Sequence, residues 1–152
     1  MPSLLEAAYI EATRVLNKFV DPMFAGEVGD IVAQFKPLPE DYERVFMPEA
    51  AAKARIAYKP LWTSPPPPLP RPGQTAVRVH VAEASEFASG SPRAQQFPGG
   101  MKSIADKLQP GLVWVAWEYL APGEDAGLSF NGLVYLDGRF AWFPKPWRFV
   151  DF

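Results

Sequence analysis

Apolar residues recur along this chain with two different periods, and the change from one to the other divides it. In the first third, Leu5, Ala8, Ala12, Val15, Leu16 and Phe19 fall at three- and four-residue spacing, with Glu6, Arg14, Asn17 and Lys18 turned outward. That pattern predicts an amphipathic helix over 4–20. Ser3 and Glu6 open it as a capping box, and Asp21-Pro22 closes it, because the residue before a proline is pushed out of the helical region. Val28, Ile31, Val32 and Phe35 make the stripe of a second helix over 28–35, stopped by Pro37 and Pro39. A helical turn follows at 41–46. Pro48 and Glu49 then start an alanine-rich third helix that runs to about residue 58, before Pro60.

After residue 74 the period becomes two. Val77, Val79 and Val81 alternate with Arg78 and His80, which predicts a strand over 74–82 with one core face and one polar face. The stretch 83–98 is polar and rich in small residues, an irregular excursion with a helical turn at 84–88; a short helix over 101–108 follows Gly99-Gly100. Three strands complete the chain, over 112–120, 128–136 and 139–143. Asp137-Gly138 between the last two supplies the positive-φ pair of a type I′ hairpin. Between the two regimes, 64–73 holds six prolines in ten residues, an extended polyproline connector. As a ligand for an SH3 or WW domain it lacks the basic residue in register: Pro72 stands where that residue belongs, and Arg71 is one place early.

The elements predict one α+β domain, with N-terminal helices packed on a curved antiparallel sheet of about four strands. Its parts are a helical segment 1–63, the connector 64–73 and a sheet segment 74–152. A sheet with one wet face should alternate apolar with polar residues, and this one does not. Val113, Val115, Trp117 and Tyr119 share one side of their strand, while Leu112, Trp114, Ala116 and Leu120 share the other with Glu118. The hairpin repeats the situation, with Leu133, Tyr135, Phe140 and Trp142 against Val134, Leu136, Ala141 and Phe143. Both faces are therefore expected to be covered, one by helices. The other is covered by a ligand in a cone, a second copy, a different protein, or the 83–98 excursion and the proline strap folded over it.

Composition narrows the function classes. Fifteen basic residues against seventeen acidic ones give no general attraction to nucleic acid or to an acidic membrane surface. With no cysteine and a single histidine, His80, thiolate nucleophiles and multi-histidine metal centres are excluded. The opening residues lack the pattern of a secretory leader and no stretch suits a spanning helix, so a cytoplasmic location is expected. No phosphate loop, GxSxG, HExxH or EF-hand pattern is present. Glu124-Asp125 falls far short of a calcium site. Glu118 is a carboxylate in an otherwise apolar strand, with Arg78, Arg139 and Lys145 as candidate ion-pair partners; His80 beside Arg78 has no evident acid partner in the sequence.

Two phrases resemble the nuclear transport factor two-like (cystatin-like cone) superfamily. The run 24–35, FAGEVGDIVAQF, is similar to its second-helix phrase, and 134–142, VYLDGRFAW, is similar to its final hairpin. The resemblance implies a curved sheet wrapped by helices around a conical pocket, frequent homodimers through the outer sheet face, and, in its enzymes, an Asp or His general base. The proline strap and the 83–98 excursion depart from that pattern.

The expectation drawn from these residues is a non-enzymatic binding protein with no cofactor and no metal, which docks a protein partner or a copy of itself through an aromatic sheet face. A bacterial toxin-immunity protein is one such type. The alternative is a cone-pocket protein that binds or converts a small apolar ligand. Candidate binding residues are Trp114, Trp117, Tyr135 and Trp142 as walls, with His80, Arg78 and Glu118 as polar handles.

Overall fold

The computed structural model describes residues 2–150. Helix α1, Leu4–Leu16, starts where the capping box places it: Ser3 Oγ accepts the Glu6 N–H at 3.2 Å. A 3-10 turn, Asn17–Phe19, extends it, and a second 3-10 stretch, Pro22–Glu27, leads into α2, Val28–Gln34. Helices α3, Asp41–Val45, and α4, Pro48–Ala57, follow. Helix α5, Lys59–Thr63, was not expected, because Pro60 reads as a stop. Here Pro60 sits in the first turn, where its missing N–H is not needed, so it begins a helix instead of ending one.

The sheet contains β1, Ala76–Glu83, β2, Val113–Leu120, β3, Leu128–Leu136, and β4, Arg139–Trp142, in the order 1-2-3-4 with every neighbour antiparallel. Asp137 and Gly138 take φ of 53° and 89°, as the type I′ turn requires. Gly132 is an extra residue in β3: Val115 pairs with Leu133 and Ala116 with Asn131, which leaves Gly132 as a bulge at φ 95°. Helices α6, Glu86–Ser89, and α7, Gly100–Ser103, lie in the β1–β2 connection. Helix α8, Trp147–Val150, follows Pro146 and is a second element that the prolines concealed.

Both faces of the sheet are apolar and both are covered by the chain's own helices. Val79, Val115, Trp117, Leu133 and Trp142 pack against Ala12, Leu16 and Phe19 from the first helical stretch and Ile31, Val32 and Phe35 from the second. On the opposite face, Trp114, Ala116, Val134, Ala141 and Phe143 meet Tyr42, Phe46, Ala51 and Tyr58, with Phe87, Met101, Ile104 and Val150 closing the layer. The 83–98 excursion takes part in this cover, but the main bodies over the second face are α3, α4 and α8. The proline strap lies elsewhere and is tied down where the Tyr119 hydroxyl donates to the Pro68 carbonyl. Among the described residues no helix is long and apolar enough to cross a membrane.

Candidate functional site

The seven residues singled out from the sequence separate into two groups. Trp114, Trp117 and Trp142 are 0%, 1% and 2% exposed, so they are core side chains closed to any docking partner. The physical reason is that α1 and α2 on one side and α3, α4 and α8 on the other reach the sheet first. Trp142 is fixed further by its indole N–H, which donates to the Asn131 carbonyl at 2.8 Å. Tyr135 is half-buried and packs on Phe140 at a ring distance of 5.4 Å. As walls of an aromatic docking face, the three tryptophans are corrected by their burial.

Arg78, His80 and Glu118 do come together. The β1–β2 register sets Arg78 directly opposite Glu118 and His80 two pairs further along, opposite Ala116 and on the same face. Glu118 Oε1 accepts from Arg78 Nε at 2.7 Å and lies 3.2 Å from His80 Nε2. Arg78 also donates to the Asp125 carbonyl at 2.6 Å. The Arg78 hydrogen bond, against the opposing effect of burial, holds the Glu118 carboxyl below its ordinary value. His80 thus has the acid partner that its neighbours in sequence do not supply. The three side chains border a cleft of about 420 Å³, with Gln95, Gln96 and Ser129 on its walls. Glu118 neutralises Arg78 inside the chain, so the cleft offers hydrogen bonds and an oriented imidazole but no unpaired cation.

A larger groove, of about 890 Å³, lies where α2, α3 and α5 converge. Pro37, Leu38, Pro39, Tyr42 and Trp62 give it an apolar lining. Trp62 is the last aromatic of α5 and stands edge-on to Trp142 at 6.2 Å, so the core braces it from behind. Arg55 lies over the Tyr42 ring at 5.5 Å and donates to the Pro39 carbonyl at 2.9 Å, which fixes one wall. Burial is the largest effect on the Tyr42 hydroxyl and raises its pKa. Lys36 and Lys59 complete the lining, are exposed, and form no ion pair among the described residues. The Trp62 indole N–H is buried without an acceptor.

The sequence reading missed this groove because Pro37, Pro39 and Pro60 read only as helix stops. A retrievable signal is the Lys-Pro-Leu phrase that occurs twice, at 36–38 and 59–61, and brings both lysines to the lining of the groove. Among the described residues no three His, Asp or Glu side chains gather as a metal would need. No protein-family model, curated protein or solved structure matches the chain significantly.

Proposed function

We propose that this protein is a non-enzymatic binding protein whose ligand is a small amphipathic carboxylate, with its apolar body against Trp62, Tyr42 and Leu38 and its charge between Lys36 and Lys59. The observation that carries this reading is the pairing of an apolar groove with two lysines that form no ion pair among the described residues. The volume of about 890 Å³ lies in the range of about 300–1,000 Å³ used by small-molecule sites. Two ammonium groups over a low-dielectric floor attract an anion more strongly than they would in open water. A ligand acceptor at Trp62 Nε1 would also satisfy a donor that the folded chain leaves unmatched.

Calorimetric and tryptophan-fluorescence titrations with indole-3-acetate and decanoate test it, with indole-3-ethanol and decanol as neutral controls. The acids are expected to bind at least about tenfold more tightly than the alcohols, a difference of roughly 1.4 kcal/mol. Lys36→Glu with Lys59→Glu is expected to remove that preference. Equal binding of acids and alcohols, or no binding of either, overturns the reading.

A further inference from the structure

Strand β1 is an edge of the sheet, and among the described residues no strand pairs with its outer rim. The Ala84 N–H donates to the Leu112 carbonyl at 2.9 Å, which fixes the parity of the ladder over 76–84: even-numbered residues turn their main-chain groups toward β2 and odd-numbered ones turn outward, while Thr75, just before the strand, still donates inward to the Leu120 carbonyl at 3.0 Å. Glu83 agrees, since its N–H is met from outside by Glu86 Oε2 at 2.7 Å. That leaves Val77, Val79 and Val81. No hydrogen bond among the described residues reaches their outward N–H or C=O groups.

The other edge is treated differently. Strand β4 has four residues, its outward Trp142 N–H donates to the Phe35 carbonyl at 2.9 Å, and Arg139 is clamped by Asp41. Proteins keep edges from pairing with short strands, proline, lysine or bulges. Strand β1 has eight residues, contains neither proline nor lysine, and pairs with β2 without a shift of register. Beside its rim, α1 exposes Leu4, Tyr9 and Ile10 at 48%, 46% and 61%. Leu5, Tyr9 and Ile10 join Val81 in a shallow, mainly apolar groove at the Val81 end of the strand, with Glu6 and Arg93 also in its lining.

We propose that β1 pairs antiparallel with β1 of a second copy of this chain, joining two four-stranded sheets into one of eight, with the two α1 helices flanking the seam. Self-pairing is favoured over an unrelated strand because the free groups are symmetric about Val79. A two-fold axis there sets Val77 of each copy against Val81 of the other and satisfies all three outward residues at once. The same register sets Arg78 opposite His80 of the second copy, and Arg78 is already neutralised by Glu118 of its own chain. The apolar groove beside the strand becomes the flank of the interface.

Light scattering on the full chain over a concentration series tests the proposal, with amide hydrogen exchange as a second readout. The wild type is expected at twice the 16.9 kDa of one chain, with slow exchange at Val77, Val79 and Val81. Ile10→Asp with Val81→Lys is expected to run at 16.9 kDa with unchanged circular dichroism and fast exchange at Val77 and Val79. Ile10→Asp alone, on an exposed helical position, should raise the dissociation constant at least about tenfold, and it keeps the test valid if the double variant unfolds. A wild type that stays at the mass of one chain throughout, or a dimer that survives in the double variant, overturns the proposal. Ligand titration of the monomeric variant separates this outcome from the fate of the groove reading.

Discussion

Asp41 and Arg139 stand 98 residues apart and meet as a two-pronged ion pair, Nη1 to Oδ2 at 2.9 Å and Nη2 to Oδ1 at 2.6 Å. Asp41 has no exposed surface, and its Oδ2 also accepts the Leu38 N–H at 2.8 Å. The pair therefore fastens the start of α3, and with it the Pro37–Leu38–Pro39 wall of the groove, to strand β4. Removing the guanidinium leaves a buried carboxylate with one remaining partner. Arg139→Ala is expected to lower the unfolding free energy by about 2–3 kcal/mol, below the range for fully buried pairs because Arg139 is itself 39% exposed. Adding Asp41→Ala should cost less than the sum of the two single changes, which urea unfolding of the double-mutant cycle will measure.

The bulge at Gly132 makes a sharper demand. Its φ of 95° lies where side chains are strained, and a Cβ there would stand 2.2 Å from the Phe143 carbonyl oxygen. That oxygen belongs to backbone at the end of the hairpin, so it cannot rotate out of the way. The neighbouring Asn131 depends on the same geometry, with its Oδ1 accepting the Lys145 N–H at 2.9 Å. Gly132→Ala is expected to destabilise the fold by about 3 kcal/mol. Gly26→Ala is the control: it has ordinary φ and open space around its Cα, and should change stability by less than about 1 kcal/mol.

Tyr58, at the end of α4, joins that helix to α8 over the second face. It is fully buried, stacks on Phe149 of α8 at 4.0 Å, and donates its hydroxyl to the Pro144 carbonyl at 2.9 Å. Burial raises its pKa well above the ordinary tyrosine value, so the hydroxyl remains a donor across the working pH range. Tyr58→Phe keeps the ring contact and strands the carbonyl. A loss of roughly 1 kcal/mol is expected in thermal or urea unfolding, with no change in ligand binding.

Legibility followed the range of the interactions involved. Helix α1 and the Asp137-Gly138 hairpin depend on neighbours within four residues, and both are written in the local pattern. The sheet's double-sided apolar character was also readable from alternation. What covers the second face was not, because Tyr42, Ala51, Tyr58 and Ile104 arrive there from distant parts of the chain and nothing local to β2 names them. Proline was the most misleading residue. Pro60 and Pro146 read as terminators, yet each precedes or enters a helix, and the first of these helices carries Trp62 to the groove. The sequence offers Glu118 three candidate partners, Arg78, Arg139 and Lys145, and gives no sign of the His80–Glu118 contact. The Arg78 and His80 contacts with Glu118 both depend on the register of two strands whose residues lie 40 and 38 positions apart.

Glu118 ties that register to pH. Its carboxyl is held below the ordinary 4.5, first by the Arg78 hydrogen bond and then, against the cost of burial, by His80, the Arg78 charge and the Gly127 N–H. The folded chain therefore binds this proton less tightly than the unfolded chain does. Stability from this group is fully present above the ordinary glutamate value and is lost as pH falls through the lower folded value. Glu11 shifts in the same direction through Arg14, and Glu86 does so, against the cost of burial, through the Glu83 N–H and then Arg93, so the acid limb has more than one source. Urea midpoints measured from neutral pH downward should hold level to about pH 4.5 and then fall. Glu118→Gln should lower the neutral-pH plateau and flatten the limb, because the amide has no proton to take up on unfolding and donates poorly matched hydrogens toward Arg78. A limb as steep in Glu118→Gln as in the wild type would mean that the β1–β2 pair contributes nothing to acid sensitivity and that Glu11 and Glu86 account for it.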